Sequence, residues 1–167
     1  MAAVLVVDDE PLLVDVYTRI LSREGYRVFP ASGPTHALEL IQRLPPIDVV
    51  VSDIKMPEMP GTDLVCEVAL RSPNTACILM TAGIVDPTKV PRGVPLLRKP
   101  VLPRDLISAI EEAVMHSAEL TEKLQASIAD YLELRQTYTR LRAEHCDVMR
   151  KVADTIRASS VQQRKKP

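Results

Sequence analysis

The chain contains no tryptophan and few other aromatic residues, which together make up 3% of its 167 residues. Binding of single-stranded nucleic acid depends on aromatic stacking, so this composition does not favour that function. The formal net charge is -1, without the basic excess that binding to a phosphate backbone needs. No apolar run approaches the roughly 18 residues that span a membrane. The composition therefore indicates an ordinary globular chain whose core consists of valine, leucine, isoleucine and alanine.

Cysteine is also scarce. The three cysteines, Cys66, Cys77 and Cys146, are far apart in the sequence. An odd number of widely spaced thiols favours neither a disulfide framework nor a zinc site. We expect inert thiols in a reducing compartment, with Cys77 as a small apolar residue inside a strand. No signal-peptide pattern is present, so we expect a cytoplasmic protein.

The sequence does contain four short apolar runs, and a polar side chain follows each of them. The runs cover residues 4–7, 49–51, 78–80 and 96–97. Their continuous apolar character is typical of strands that are buried on both faces of a parallel sheet. The polar residues that follow are Asp8 with Asp9, Asp53, Thr81 and Lys99. Ligands of open α/β sheets bind beyond the carboxyl ends of the strands, so we expect these residues to share one pocket.

Segments with helical periodicity alternate with these runs. Helices are predicted over residues 11–24, 34–44 and 62–70, and a further short strand over residues 26–29. This alternation predicts an α/β fold, in which right-handed crossovers place helices on both faces of a parallel sheet. The fourth crossover, residues 84–94, contains two prolines and a glycine, so we expect a stunted or irregular fourth helix.

Three carboxylates at one edge of the sheet predict a bound cation. Asp8, Asp9 and Asp53 would repel one another unless a divalent ion neutralised them. Oxygen ligands with room for water favour Mg²⁺, whereas zinc calls for histidine or thiolate ligands, which are missing near the strand ends. Beside such an ion, Asp53 is suited to attack a phosphoryl group and to form an aspartyl phosphate. Thr81 and Lys99 would supply a hydroxyl and an ammonium group to the phosphoryl oxygens.

Four sequence blocks carry a resemblance to a known family. The blocks are VLVVDDEP, VVVSDIKMPEMPG, ILMTAG and LLRKP, in this order. Together they resemble the receiver domain of two-component response regulators, over residues 1–115. The resemblance implies a doubly wound, flavodoxin-like sheet of five parallel strands in the order 2-1-3-4-5.

The resemblance also implies roles for individual residues. Asp53 matches the phosphoacceptor, Thr81 the switch hydroxyl and Lys99 the phosphate-binding lysine. The implied Mg²⁺ ligands are Asp8, Asp9, Asp53 and the backbone carbonyl of Lys55. A cis peptide bond is implied between Lys99 and Pro100. The chain departs from the family at Leu96, where a tyrosine or phenylalanine often stands, and in its shortened fourth crossover, which in many relatives helps to form the face that pairs receivers.

The remaining residues, 116–167, are predicted to form a helical extension. No glycine or proline interrupts residues 104–166, so one long helix is expected. The residues of one helix face follow a coiled-coil spacing with one stammer, and they are Leu124, Ile128, Tyr131, Leu134, Tyr138, Leu141, His145, Val148 and Val152. We expect a homodimer through this helix, with parallel helices favoured. A helix that folds back or packs on another protein, and partial disorder, are the alternatives.

The sequence thus predicts a phosphoacceptor response regulator in a two-component phosphorelay. It would receive the phosphoryl group on Asp53 from a histidine kinase or phosphotransfer protein, with Mg²⁺, and signal through its C-terminal helix. On this interpretation the chain is not an enzyme. Two alternatives remain open at this point: a receiver-fold scaffold or dimerisation module that works without phosphorylation, and a Mg²⁺-dependent phosphohydrolase.

Overall fold

The computed structural model describes the backbone of residues 1–163 and the side chains of residues 1–154. The chain divides into two compact units, the first covering Met1–Thr121 and the second beginning at Glu122. Residues 164–167, the end of the predicted extension, lie outside the described residues.

The first unit is built on one sheet of five parallel strands. The strands are β1 (Ala3–Val7), β2 (Arg27–Ala31), β3 (Val49–Asp53), β4 (Ala76–Thr81) and β5 (Leu96–Arg98). They are hydrogen-bonded in the order β2-β1-β3-β4-β5, and all neighbouring pairs are parallel. The predicted flavodoxin-like fold and strand order are therefore confirmed.

Three helices connect successive strands and a fourth follows β5, and together they cover both faces of the sheet. They are α1 (Pro11–Arg23), α2 (Pro34–Arg43), α3 (Gly61–Arg71) and α4 (Pro103–Gln163). Each of α1 and α2 begins at a proline, whose fixed φ angle and missing N–H suit the first helical position. On one face of the sheet, Tyr17 and Leu21 of α1 pack with Leu106 and Ile110 of α4. On the other face the packing is between Ala37 of α2 and Leu64 and Val68 of α3.

The burial of the strands follows their position in the sheet. Every residue of β1 and β3 is buried, as expected of central strands with helices on both faces. The expectation that the last apolar run is buried in the same way is wrong, because Leu96 is exposed and Leu97 is only half-buried. Strand β5 lies at the edge of the sheet and has β4 as its neighbour on one side.

The fourth crossover contains a single 3-10 turn, Pro87–Lys89. The Asp86 carboxylate begins this turn by accepting a hydrogen bond from the backbone N–H of Thr88 at 2.9 Å. The prediction of a stunted fourth helix is therefore confirmed. Its physical cause is the pair of prolines at 87 and 91, which leaves too few residues with a free N–H for a longer helix.

The prediction that Cys77 lies inside a strand is confirmed, because this residue belongs to β4. Cys66 and Cys146 are exposed and all three cysteines are free. Burial in β4 raises the pKa of the Cys77 thiol to about 12, so this thiol is protonated at neutral pH. In the described part of the chain, no helix combines the length and apolar character needed to cross a membrane.

Candidate functional site

Four polar side chains lie at or directly after the carboxyl ends of four neighbouring strands. Asp8 follows β1, Asp53 and Thr81 end β3 and β4, and Lys99 follows β5. Asp8 and Asp53 are only 1% and 5% exposed, which is rare for carboxylates unless they are paired, and Thr81 is 2% exposed. The cluster therefore combines deep burial with charge, as functional sites often do.

The Lys99 ammonium group joins the two buried carboxylates. Its Nζ lies 2.7 Å from Oδ2 of Asp8 and 2.6 Å from Oδ1 of Asp53. Burial by itself lowers the pKa of Lys99, but the hydrogen bonds and charges of Asp53 and Asp8 outweigh it and raise this pKa above its ordinary value. Lys99 is therefore fully charged at neutral pH. The peptide bond that follows it, to Pro100, is cis, as the resemblance implied.

Backbone groups hold the other oxygen of each carboxylate. The N–H of Lys55 donates to Oδ2 of Asp53 at 2.6 Å, and the N–H of Glu10 donates to Oδ1 of Asp8 at 3.0 Å. Each carboxylate is therefore held by the backbone two residues further along the chain. Two carboxylates facing one ammonium leave an unbalanced negative charge in a buried place, which a bound cation would neutralise.

The donor set suits a hard cation. Asp8 and Asp53 offer only oxygen atoms, and each oxygen that accepts one hydrogen bond still has a lone pair. Oxygen donors of this kind, with space for water, match Mg²⁺. As the side chains stand, the described residues include no group of three or more histidine, cysteine, aspartate or glutamate side chains arranged to hold a metal ion.

Asp9 lies apart from the buried pair. It is exposed and lines a surface cavity of about 380 Å³ together with His36 and Glu58. Asp8 and Asp53 are thus brought together, whereas Asp9 lies at the rim, and its role as a ligand stays a prediction. The carbonyl of Lys55 is also untested as a ligand.

Thr81 contacts its own loop. The N–H of Gly83 donates to Thr81 Oγ1 at 3.1 Å, and the hydroxyl lies 3.4 Å from the Gly83 carbonyl oxygen. Thr81 also lines a cavity of about 370 Å³, whose walls include Val90 and Leu96 beside the short crossover. The threonine hydroxyl is therefore held in a turn of its own.

Sequence reasoning missed two residues that shape the site. Gly61, the first residue of α3, donates its N–H to the Ile54 carbonyl at 2.9 Å. A Cβ atom at position 61 would overlap the backbone carbonyl oxygen of Asp53, so only glycine fits there. The Ser52 hydroxyl donates to the same carbonyl oxygen at 2.9 Å. The Pro60-Gly61 pair was a sequence signal for a close approach between backbone segments. Only the structure shows that Gly61 approaches the Asp53 carbonyl.

Comparisons with known proteins agree with this geometry. Residues 4–111 match the family model described as the response regulator receiver domain. The chain is similar to the transcriptional regulatory protein GlrR of Escherichia coli strain K12, at 35% identity over 73% of this chain and 28% of that protein. It is also similar to the transcriptional regulatory protein PdtaR of Mycobacterium tuberculosis, at 32% identity over 82% of this chain and 69% of that protein. The chain therefore spans less than a third of the length of GlrR.

Solved structures give the same result. The crystal structure of a response regulator receiver domain protein from Clostridium thermocellum superposes with a TM-score of 0.66 and 33% identity. The match covers 72% of this chain and 99% of that one. A CheY-like receiver domain protein from Methanospirillum hungatei matches with a TM-score of 0.64 and 27% identity, over 71% of this chain and 98% of that one.

Proposed function

Because the chain belongs to the response regulator receiver family of two-component systems, whose members are signalling proteins rather than enzymes, we propose that it accepts a phosphoryl group on Asp53. The main support is the buried Asp53 carboxylate, which lies 2.6 Å from the Lys99 ammonium group and has Asp8 beside it. A phosphohistidine on a histidine kinase or phosphotransfer protein would be the donor. A cytoplasmic location is part of the proposal.

The transfer forms one bond and breaks another. A carboxylate oxygen of Asp53 attacks phosphorus, the P–N bond of the phosphohistidine breaks, and the donor histidine leaves with the electron pair of that bond. The Lys55 N–H and the Lys99 ammonium hold the two oxygens of Asp53 and so fix the direction of attack. After transfer, Lys99 is placed to donate to a phosphoryl oxygen, because it already contacts the carboxylate that receives the group.

Receiver domains generally bind Mg²⁺ at the phosphorylation site, and the excess negative charge here fits such an ion. Bound Mg²⁺ would neutralise the charge that gathers on the phosphoryl oxygens. In this proposal Asp8, Asp9, Asp53 and the carbonyl of Lys55 are its ligands. Asp8 and Asp53 are already fixed by the chain, whereas Asp9 would have to turn inward from the rim.

Thr81 is the proposed switch. Its hydroxyl bonds only within its own loop among the hydrogen bonds of the described residues, so it is free to turn toward a new dianion on Asp53. A charge-assisted hydrogen bond contributes about 1.5–3 kcal/mol, enough to shift a balanced loop. The signal would then pass from the receiver, residues 1–115, to the helical extension, residues 116–167, which forms a homodimer.

Replacing Thr81 tests this switch. With a phosphoryl mimic bound at Asp53, we expect the amide signals of Gly83 and of the first turn of α4 to shift in NMR spectra of the wild-type chain. Thr81→Ala should lose these shifts, while Thr81→Ser, which keeps the hydroxyl, should retain most of them. Equal shifts in all three proteins would contradict the switch.

A scaffold that works without phosphate is the second candidate function. The exposed Leu96 and the single 3-10 turn of the fourth crossover favour it, since both depart from the family pattern. The Mg²⁺-dependent phosphohydrolase has no such support, because the chain belongs to a family of signalling proteins.

Phosphorylation of the purified full chain separates these candidates. With Mg²⁺ and a small phosphoryl donor such as acetyl phosphate, intact mass should rise by one phosphoryl group. Asp53→Asn should stay unmodified, because the amide is not a nucleophile of comparable strength. As a matched control, Asp63→Asn replaces an exposed aspartate of α3 and should be modified like wild type. An unmodified wild-type chain would favour the scaffold.

A further inference from the structure

The second unit exposes a stripe of apolar side chains along its helix. The stripe consists of Leu124, Ile128, Tyr131, Leu134, Tyr138, Leu141, Val148 and Val152, which are between 47% and 68% exposed. Exposed apolar side chains at this spacing are typical of a helix that packs against another helix. Such a stripe by itself permits either orientation of the partner.

The spacing of the stripe is close to symmetric about Gln136. Leu134 and Tyr138 lie two residues on either side of it, and Tyr131 and Leu141 lie five. Leu124 and Val148 lie twelve residues away on the two sides. The exception is Ile128, whose mirror position is Glu144. In two helices that run in opposite directions and cross at Gln136, apolar residues would therefore meet apolar residues at these levels.

The charges of the two halves of this helix are opposite. Residues 122–134 contain three acidic residues and one lysine, a net charge of -2. Residues 135–151 contain five basic and two acidic residues, a net charge of +3. Parallel helices would place each half against a half of the same sign. Packed helices lie about 8–10 Å apart, comparable with the screening length of roughly 8 Å at physiological salt, so these signs affect pairing.

We propose that the partner of this stripe is the same helix of a second copy, in antiparallel orientation and centred on Gln136. The acidic half of each helix then lies along the basic half of the other, and the two helix dipoles also oppose each other. This deepens the homodimer of the proposed function and replaces the parallel orientation that the sequence analysis favoured. It does not depend on phosphorylation of Asp53.

A distance between spin labels tests the orientation in the full chain. The native Cys146 is exposed and takes a nitroxide label when Cys66→Ser and Cys77→Ala remove the other thiols. Cys146 lies ten residues from Gln136, so antiparallel helices place the two labels twenty residues, or about 30 Å, apart along the axis. Parallel helices place them at the same level, with only the interaxial distance of about 8–10 Å and the label arms between them.

A label near the centre provides the control. Thr137→Cys, with Cys146→Ser in the same background, places a label on the flank of the stripe, one residue from the centre. The two labels then lie at one level in parallel helices and only two residues, or about 3 Å, apart along the axis in antiparallel helices, so this variant reports pairing itself. A long distance at Cys146 with a short distance at position 137 is the expected result. A short distance at Cys146 or a long one at position 137 overturns the proposal, and so does the absence of dipolar coupling at both. None of these outcomes bears on phosphorylation of Asp53, which the mass measurement tests separately.

Discussion

Lys99→Met is expected to lower the free energy of unfolding by about 3–5 kcal/mol, measured by urea denaturation at neutral pH without divalent cations. The Lys99 ammonium donates to Asp8 at 2.7 Å and to Asp53 at 2.6 Å, and both carboxylates are buried. Methionine fills a similar volume but cannot donate. The variant therefore leaves two buried negative charges facing each other without a cation between them.

Three controls separate charge from packing. Lys89→Met removes an exposed lysine and should change stability by less than about 0.5 kcal/mol. Asp53→Asn leaves the Lys99 ammonium facing one carboxylate, that of Asp8. It should therefore lower the free energy of unfolding far less than Lys99→Met does. Adding Mg²⁺ should stabilise Lys99→Met more than wild type, because the ion meets more uncompensated charge there. A Lys99→Met protein within about 1 kcal/mol of wild type would contradict the electrostatic description of the site.

Gly61→Ala is expected to lower the free energy of unfolding by about 3 kcal/mol. Gly61 lies at the start of α3, where helix propensity alone would make alanine better than glycine by about 1 kcal/mol. The structure predicts the opposite sign, because the new Cβ overlaps the carbonyl oxygen of Asp53 and cannot be accommodated by a flexible side chain. Either the β3 end or the start of α3 has to move.

Gly83→Ala is the matched control for this prediction. A Cβ at position 83 would meet only the end of the Lys55 side chain, which can turn away. We expect Gly83→Ala to lower the free energy of unfolding by less than about 1 kcal/mol. Urea denaturation of both variants gives the comparison, and the rate of Asp53 phosphorylation should fall in Gly61→Ala, because the backbone of the nucleophile is displaced. A stabilised Gly61→Ala protein would contradict the close approach seen at this position.

The general position of the site could be predicted from the sequence because each polar residue lies at or next to the end of a strand. Asp8, Asp53, Thr81 and Lys99 are of this kind, and parallel strands bring their carboxyl ends to one edge. The difference between Asp8 and its neighbour Asp9 could not be predicted. Side chains alternate in direction within a strand, but this rule no longer applies after β1 ends. The Asp8 carboxylate is buried because it contacts the Lys99 ammonium group and the Glu10 N–H, and neither contact is visible in the local sequence.

Other features depend on contacts that the local pattern does not contain. Leu96 is apolar yet exposed, because β5 has a neighbour on one side only and follows a crossover without a full helix. The contact between Gly61 and the Asp53 carbonyl joins residues separated by a loop. The proposed orientation of the terminal helix rests on the charges of its two halves, which the apolar spacing does not contain.

The central claim is that the buried carboxylate of Asp53 carries a labile phosphoryl group, and chemical trapping tests it most directly. Borohydride reduces an aspartyl phosphate to homoserine, which marks the modified residue for peptide mass spectrometry. After incubation with Mg²⁺ and acetyl phosphate, we expect homoserine at position 53 and unmodified aspartate at positions 8, 9 and 63. Homoserine at another position, or aspartate retained at position 53, would contradict the account.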